Sequence, residues 1–353
     1  MSHFFSQLTV FDCSTVLAGP SVGTFFAELG AKVTKFEHPK NPDVTRSWKL
    51  ASEQADSIIS AYFSSINFKK DYQTIDFKEE LQYNSFLNSL KDVDILLFNF
   101  KRSDYSKFNL ESEFLLSINP QLIIGKISGF GDDSDRVAYD LILQAESGFM
   151  SMNGTPESGP VKMPVALIDV LAAHQLKEGI LAALLERTKT NKGKEVSVSL
   201  YDAALCSLAN QASNFLMANH VPQRIGSLHP NIAPYGELFT TKDQKIVTFA
   251  IGSDRHFTDV CAFLNLSDLP KDNQFSTNVS RVKNRTRLQE LLAEKIARFE
   301  VVELENHMSK HFIPFGIVKN LDEVLKEESA QTLIREEEIS GIQTKRMTQI
   351  AFK

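Results

Sequence analysis

The segment Val161-Lys162-Met163-Pro164-Val165-Ala166-Leu167-Ile168-Asp169-Val170-Leu171-Ala172-Ala173-His174 sets one carboxylate inside an apolar run, at the apparent start of a helix. Charge is expensive in such a place. Backbone N–H groups at a helix N-terminus can hold the anion, and a carboxylate kept there is poised as a nucleophile. Aspartate is also a common N-cap, so the pattern alone leaves both roles open.

Other chemistries fail on spacing. No GxxxxGK phosphate loop occurs, and Gly19, Gly23 and Gly30 do not make GxGxxG. Asp132-Asp133-Ser134-Asp135 lacks the downstream Gly and Glu of a calcium loop and reads as a solvated turn. His307 and His311 are one helical turn apart without HExxH or a third ligand nearby, so no metal is expected. Cys13, Cys206 and Cys261 are far apart and odd in number, which gives neither a disulfide framework nor a zinc ribbon and suits a reducing compartment.

The 353 residues are enough for roughly two domains at about 150 residues each. Hydrophobic residues at 42% and charged residues at 23% are ordinary globular composition and exclude a largely disordered chain. Lys plus Arg number 38 against 44 Asp plus Glu, a formal charge of −6, so nothing draws the chain to nucleic acid or an anionic membrane. Any anion must be bound locally. With no secretory leader pattern and no apolar run near about 18 residues, the reading is a soluble cytoplasmic protein.

The elements that must position Asp169 follow from periodicity. Leu8–Cys13 reads as a strand, Gly19-Pro20 as a break, Val22–Leu29 as a helix stopped by Gly30, and Val33–Phe36 as a second strand. Val93–Phe98 and Leu122–Ile124 are further strands separated by a helical stretch at Leu110–Ile118, which predicts an α/β fold with a parallel sheet. Ala173, Leu176, Ile180, Leu181, Leu184 and Leu185 predict a helix closed by Asn191 and Gly193, with a strand at Val196 and Val198. A connector helix is expected over Ala203–Asn219 behind Asp202 as N-cap, then strands and helices of a small α+β unit. The acid-rich Glu327–Glu338 reads as a solvated helix, and Ile350–Phe352 as a short strand. The expected divisions are 1–205 for the first part of a large domain, 206–224 for a linker helix, 225–315 for a small domain and 316–353 for a return segment.

Leu17-Ala18-Gly19-Pro20, Leu29-Gly30-Ala31-Lys32-Val33, Lys35-Phe36-Glu37, Asn99-Phe100-Lys101, Ser128-Gly129-Phe130-Gly131, Tyr139-Asp140 with Gln144-Ala145 and Ser147-Gly148, Asp169, and Gly193-Lys194-Glu195-Val196 before Leu200-Tyr201-Asp202 follow one another along the chain. In this order they resemble the family III CoA-transferases, which include formyl-CoA transferase and carnitine CoA-transferase. The resemblance runs from about residue 8 to 325. It implies a large Rossmann-like domain made from both chain ends, a smaller domain, and a homodimer of interlocked rings. It also implies that Asp169 is the catalytic residue, which forms an aspartyl-acyl anhydride and then an aspartyl-CoA thioester from which an acceptor acid takes the CoA. No permanently bound cofactor is implied, coenzyme A being part of the substrate. By matching position, Leu17, Ala18, Tyr139 and Asp140 belong at the thiol end, and His38, Lys70, Asn99, Phe100, Lys101, Lys107 and Ala138 belong with the rest of CoA.

Some positions depart from the family's pattern. His38 and Lys107 stand where the formyl-CoA enzyme has arginines, Asp71 where an arginine is placed, and Leu17 where that enzyme has glutamine, which predicts rearranged phosphate contacts. Ala250-Ile251-Gly252-Ser253-Asp254 replaces a run of glycines, which argues against oxalate as acceptor. The chain stops soon after Gly341, which leaves the return to the large domain in question. Two other functions compete. An α-methylacyl-CoA racemase needs a histidine where this chain has Tyr139, and an unperturbed tyrosine near pKa 10 shuttles protons poorly at neutral pH. A CoA-binding protein without catalysis would fit the altered arginine positions but not the retained Asp169.

Overall fold

The computed structural model describes residues 3–352. The chain divides into a larger unit, comprising the residues up to Met152, Pro160–Pro222 and those from Thr332 on, and a smaller unit of Asn153–Gly159 and Gln223–Gln331. Residues 206–222 therefore belong to the larger unit rather than to a linker. Residues 316–331 belong to the smaller one, so the return segment starts at Thr332.

Six parallel strands form the larger unit's sheet: β1 (Thr9–Asp12), β2 (Lys32–Glu37), β3 (Lys70–Thr74), β4 (Ile95–Phe98), β5 (Ile123–Ser128) and β6 (Lys194–Ser199). Their order is β3-β2-β1-β4-β5-β6. Sequence order reverses between β1 and β4, so a crevice opens beyond the carboxyl ends of these strands, where doubly wound sheets bind ligands.

Successive residues along each strand point to opposite faces, and both faces are covered. Val10, Ile95, Leu97 and Ile123 pack with Val22 and Phe26 of the helix Ala18–Glu28 and with Leu176 and Ile180 of the helix Leu167–Thr190. Phe11, Leu96, Phe98 and Ile124 pack on the other face with Phe86, Leu90, Leu110 and Leu115. Each such side chain contributes about 1.5–3 kcal/mol by leaving water. The long helix ends at Asn191 in the left-handed region (φ 54°), as the sequence predicts. Gly193 follows because a Cβ there would lie 1.9 Å from the Leu122 carbonyl oxygen.

The helix expected over Ala203–Asn219 is two helices, Leu200–Cys206 and Ala209–Ala218, the second starting at Ala209 with a φ of 47°. Ser199, not Asp202, caps the first, its hydroxyl accepting the Asp202 N–H at 2.9 Å.

The smaller unit has three antiparallel strands, β7 (Tyr235–Thr240), β8 (Ile246–Ala250) and β9 (Phe315–Ile317). Helices around them bury Phe257, Val260, Leu292 and Leu304. The acid-rich tail is not one helix. A short turn of helix, Glu328–Gln331, leads into an antiparallel hairpin of β10 (Ile334–Ile339) and β11 (Ile342–Met347). Period-two burial wins there: Ile339 packs on Ile59 and Phe63 while Glu336 and Glu338 face solvent. Ile350–Phe352 forms no strand.

The return itself is secured. Arg346 donates to Glu28 of the helix Ala18–Glu28, whose other oxygen accepts from the Thr348 hydroxyl at 2.8 Å. Among the described residues no helix is long and apolar enough to cross a membrane.

Candidate active site

Asp169 lies in the first turn of the helix Leu167–Thr190, whose N-cap is Ala166. The N-cap reading of Asp169 is thereby corrected, because the chain becomes helical two residues before it. The side chain is only 6% exposed and accepts no hydrogen bond among the described residues. Helix N–H groups were expected to hold the anion, and none bonds to it. Burial, and then the neighbouring Asp140 charge, push the Asp169 carboxyl up to about 7. At neutral pH a large share of this carboxylate is ionised, poorly solvated and unpartnered, which is the condition of a reactive nucleophile.

Asp140 fixes that turn in place. One of its oxygens accepts the Ile168 N–H at 2.8 Å and the other accepts from the Gln144 amide at 2.7 Å. Gln144 in turn accepts the Met163 N–H at 2.8 Å, holding the strand-like approach to the helix. Gln144 sits four residues after Asp140, a helical spacing from which this pairing could have been anticipated.

Tyr139 is exposed, and its ring lies 6.4 Å from that of Trp48, which meets Tyr62 edge-on at 5.2 Å. Burial, and then the charges of Asp169 and Asp140, raise the Tyr62 phenol to about 12. Sequence reasoning missed Trp48 and Tyr62. The single tryptophan was a possible signal for the first, and nothing marked the second.

The β1-to-helix turn holds Leu17 at the N-cap and Ala18 as the first helical residue. Val16 before them has a φ of 72°, an uncomfortable conformation for a β-branched residue. Three hydrogen bonds hold it there. Asn99 accepts the Thr15 N–H at 2.9 Å and donates to the Thr15 carbonyl at 2.8 Å, while Asp43 accepts the Val16 N–H at 3.3 Å. Gly19 is needed because a Cβ would lie 2.3 Å from Ser14.

Lys70 is placed differently from the sequence expectation. Its ammonium is fully buried and bonds to Asp12 at 2.8 Å, the Pro20 carbonyl at 2.8 Å, the Ile66 carbonyl at 3.0 Å and Asn67 at 2.9 Å. All its donors are used inside the protein, so it is not free for a phosphate. Burial raises the Asp12 carboxyl, and the charges of Lys70 and Lys35 more than offset that, holding it below its usual value.

A cavity of about 540 Å³ opens at the crevice between β1, β4 and β5. Asn99, Phe100, Lys101, Ala138 and Tyr139 line it, as do Arg102, Lys126 and Arg136, which the sequence reading did not select. Lys126 is paired with Glu195 at 2.7 Å and Arg136 with Glu146 at 2.7 Å, while Lys101 has no ion pair among the described residues. The Asp132–Asp135 turn is solvated as expected, its three acids being exposed, and Asp132, Ser134 and Asp135 stand at the cavity's edge. Phe100 rests one side on Phe98, 4.9 Å away centroid to centroid. His38, whose ring nitrogen is 3.4 Å from Asp76, and Lys107, 4.0 Å from Asp104, lie outside the lining.

Residues 5–351 match the model of CoA-transferase family III. The chain belongs to that family. Among relatives of family III, the succinate–glutarate CoA-transferase of Agrobacterium fabrum is 30% identical over 332 residues, covering 92% of this chain and 82% of that protein. An acetyl-CoA:oxalate CoA-transferase of Acetobacter aceti is 31% identical, over 88% of this chain and 80% of its own. A crystal structure of a CAIB/BAIF family protein from Brucella suis superposes with a TM-score of 0.84 at 32% identity, over 98% of this chain and 91% of that one.

Proposed function

We propose that this family III CoA-transferase moves CoA from an acyl-CoA to a free carboxylic acid through covalent intermediates on Asp169. The observation that carries the reading is the Asp169 carboxyl itself, buried and without a hydrogen-bond partner among the described residues. Its oxygen attacks the thioester carbonyl and CoA leaves as thiolate, giving a mixed anhydride. The thiolate then attacks the aspartyl carbonyl and releases the donor acid, leaving an aspartyl-CoA thioester. The acceptor carboxylate attacks that thioester, and the thiolate finally takes the acyl group from the resulting anhydride, restoring Asp169. Every step exchanges one activated acyl for another, so exclusion of water matters as much as the nucleophile. No resident cofactor is needed.

The Ala18 and Gly19 N–H groups, at the open end of their helix, are the proposed oxyanion donors. The cavity lined by Lys101, Arg102 and Arg136 takes the anionic part of CoA, with Tyr139 between it and Asp140. The names of the relatives favour short dicarboxylic acids as donor and acceptor. A homodimer is supported by the helix Ala209–Ala218, which buries none of its residues and exposes Leu216 and Met217 at 77% and 87%. The three free cysteines suit a cytoplasmic setting.

Incubation with succinyl-CoA followed by intact-mass measurement tests the reading. The expected result is an adduct on Asp169 that hydroxylamine removes; an unmodified protein under turnover refutes it. Exchange of the α-proton without CoA transfer would favour the racemase instead.

Two smaller effects follow. Asp140→Asn removes a negative charge beside Asp169, so the midpoint of the kcat/KM rise with pH moves below about 7; an unmoved midpoint rejects the coupling. Asn99→Ala deletes two hydrogen bonds to Thr15, each worth about 1 kcal/mol, and raises KM for acyl-CoA roughly tenfold with less change in kcat.

A further inference from the structure

The helix that carries Asp169 carries a second buried titratable group, which the transfer chemistry leaves unused. Lys177 is 6% exposed and makes no hydrogen bond or ion pair among the described residues. Its ammonium lies 5.3 Å from the centroid of the Phe25 ring. Glu28, which acts on it electrostatically, is already taken by Arg346, Thr348 and the Gln349 N–H. Glu178, the next residue along the helix, acts on it electrostatically and stands at the same cavity, but it is exposed and forms no ion pair with Lys177 among the described residues. Burial, the largest influence, brings the amine down to about 8.

Lys177 lines a cavity of about 430 Å³ whose other walls include Phe4, Phe5, Phe25, Leu181 and Phe352. That volume falls in the range of about 300–1,000 Å³ typical of small-molecule sites. Lys177 stands eight residues beyond Asp169, about 12 Å along the helix axis at 1.5 Å per residue. None of its walls is shared with the cavity of Lys101 and Arg136.

We propose that this cavity binds an unbranched carboxylate with a medium-length alkyl tail, the carboxylate pairing with the Lys177 ammonium and the tail lying among the phenylalanine rings. A buried cation without a partner is costly, and an anion that brings its own apolar surface removes that cost while filling the hydrophobic walls. One lysine without arginines matches a monoanion rather than a phosphate. The inference does not rest on the transfer mechanism.

Calorimetric titration of the full chain with decanoate, below its micelle concentration and at pH 7, tests it. Decanoate is expected to bind at one site per chain. Lys177→Met weakens binding by at least about 10-fold and Lys177→Arg retains it. Decanol binds more weakly and is indifferent to Lys177→Met. Asp169→Asn leaves decanoate affinity unchanged, which separates this site from capture of the acid at the transfer site. Absence of binding, equal affinity in folded Lys177→Met, or loss of binding in Asp169→Asn overturns the proposal.

Discussion

Asp169→Asn lowers CoA transfer by at least about 10³-fold while making the folded protein more resistant to heat at pH 8. The loss follows because an amide offers no oxygen anion to attack a thioester. The gain in stability has the opposite origin. A carboxyl whose folded pKa is raised from 3.8 to about 7 binds its proton more tightly folded than unfolded. The stability associated with the protonated form is complete below about pH 4 and is lost as pH rises through about 7. Above that, ionised Asp169 is a burden on the order of 4 kcal/mol, which asparagine removes. Melting curves of both proteins at pH 4.5 and pH 8 read this out: the difference in midpoint grows with pH. A variant that melts alike at both values would mean that the carboxylate is comfortably solvated. The rate should climb with pH around 7 for the same reason, because only the anion attacks.

Lys70→Met costs about 3–5 kcal/mol of folding stability, because it leaves the Asp12 carboxylate buried beside β1 without its principal counter-charge. Urea unfolding measures this directly. Combining it with Asp12→Asn should recover part of the loss, since the uncompensated charge is gone. If Lys70 instead met the phosphates of CoA, stability would hold and KM for the thioester would rise. Wild-type stability in the single variant would therefore return Lys70 to the ligand site.

The central strands were legible because they are buried on both faces, whereas the edge strand β6 was read from the alternation of Val196 and Val198. β4 reads Ile95-Leu96-Leu97-Phe98 and needs no context. β3, Lys70–Thr74, escaped because it is an edge strand of mostly polar residues, held by pairing with β2 rather than by an apolar run. The tail misled for a related reason. Glu336, Glu337 and Glu338 suggest a helix by composition, but the alternation ending at Ile339 obeys the sheet. At the site, Asp169 stood out because a lone carboxylate in an apolar run has few explanations. Lys70 did not declare its role, since a lysine opening a strand looks alike whether it reaches solvent or folds back to Asp12. Arg102 and Arg136 were missed. Arg102 adjoins Lys101 in the chain but carried no motif of its own, and only the crevice makes Arg136 a neighbour of Lys101.

The bond from Arg346 to Glu28 joins residues 318 positions apart. On a ribosome, the sheet and helices of the N-terminal half emerge long before the hairpin that seals Glu28 and Ile59 has been translated, whereas the whole of Gln223–Gln331 is already out. The nascent larger unit must therefore wait, with a buried acid unpaired and an apolar patch open, for the segment from Thr332 to Gln349. A premature stop after Gln331 would leave that wait permanent and hand an unfinished sheet to the cell's proteases.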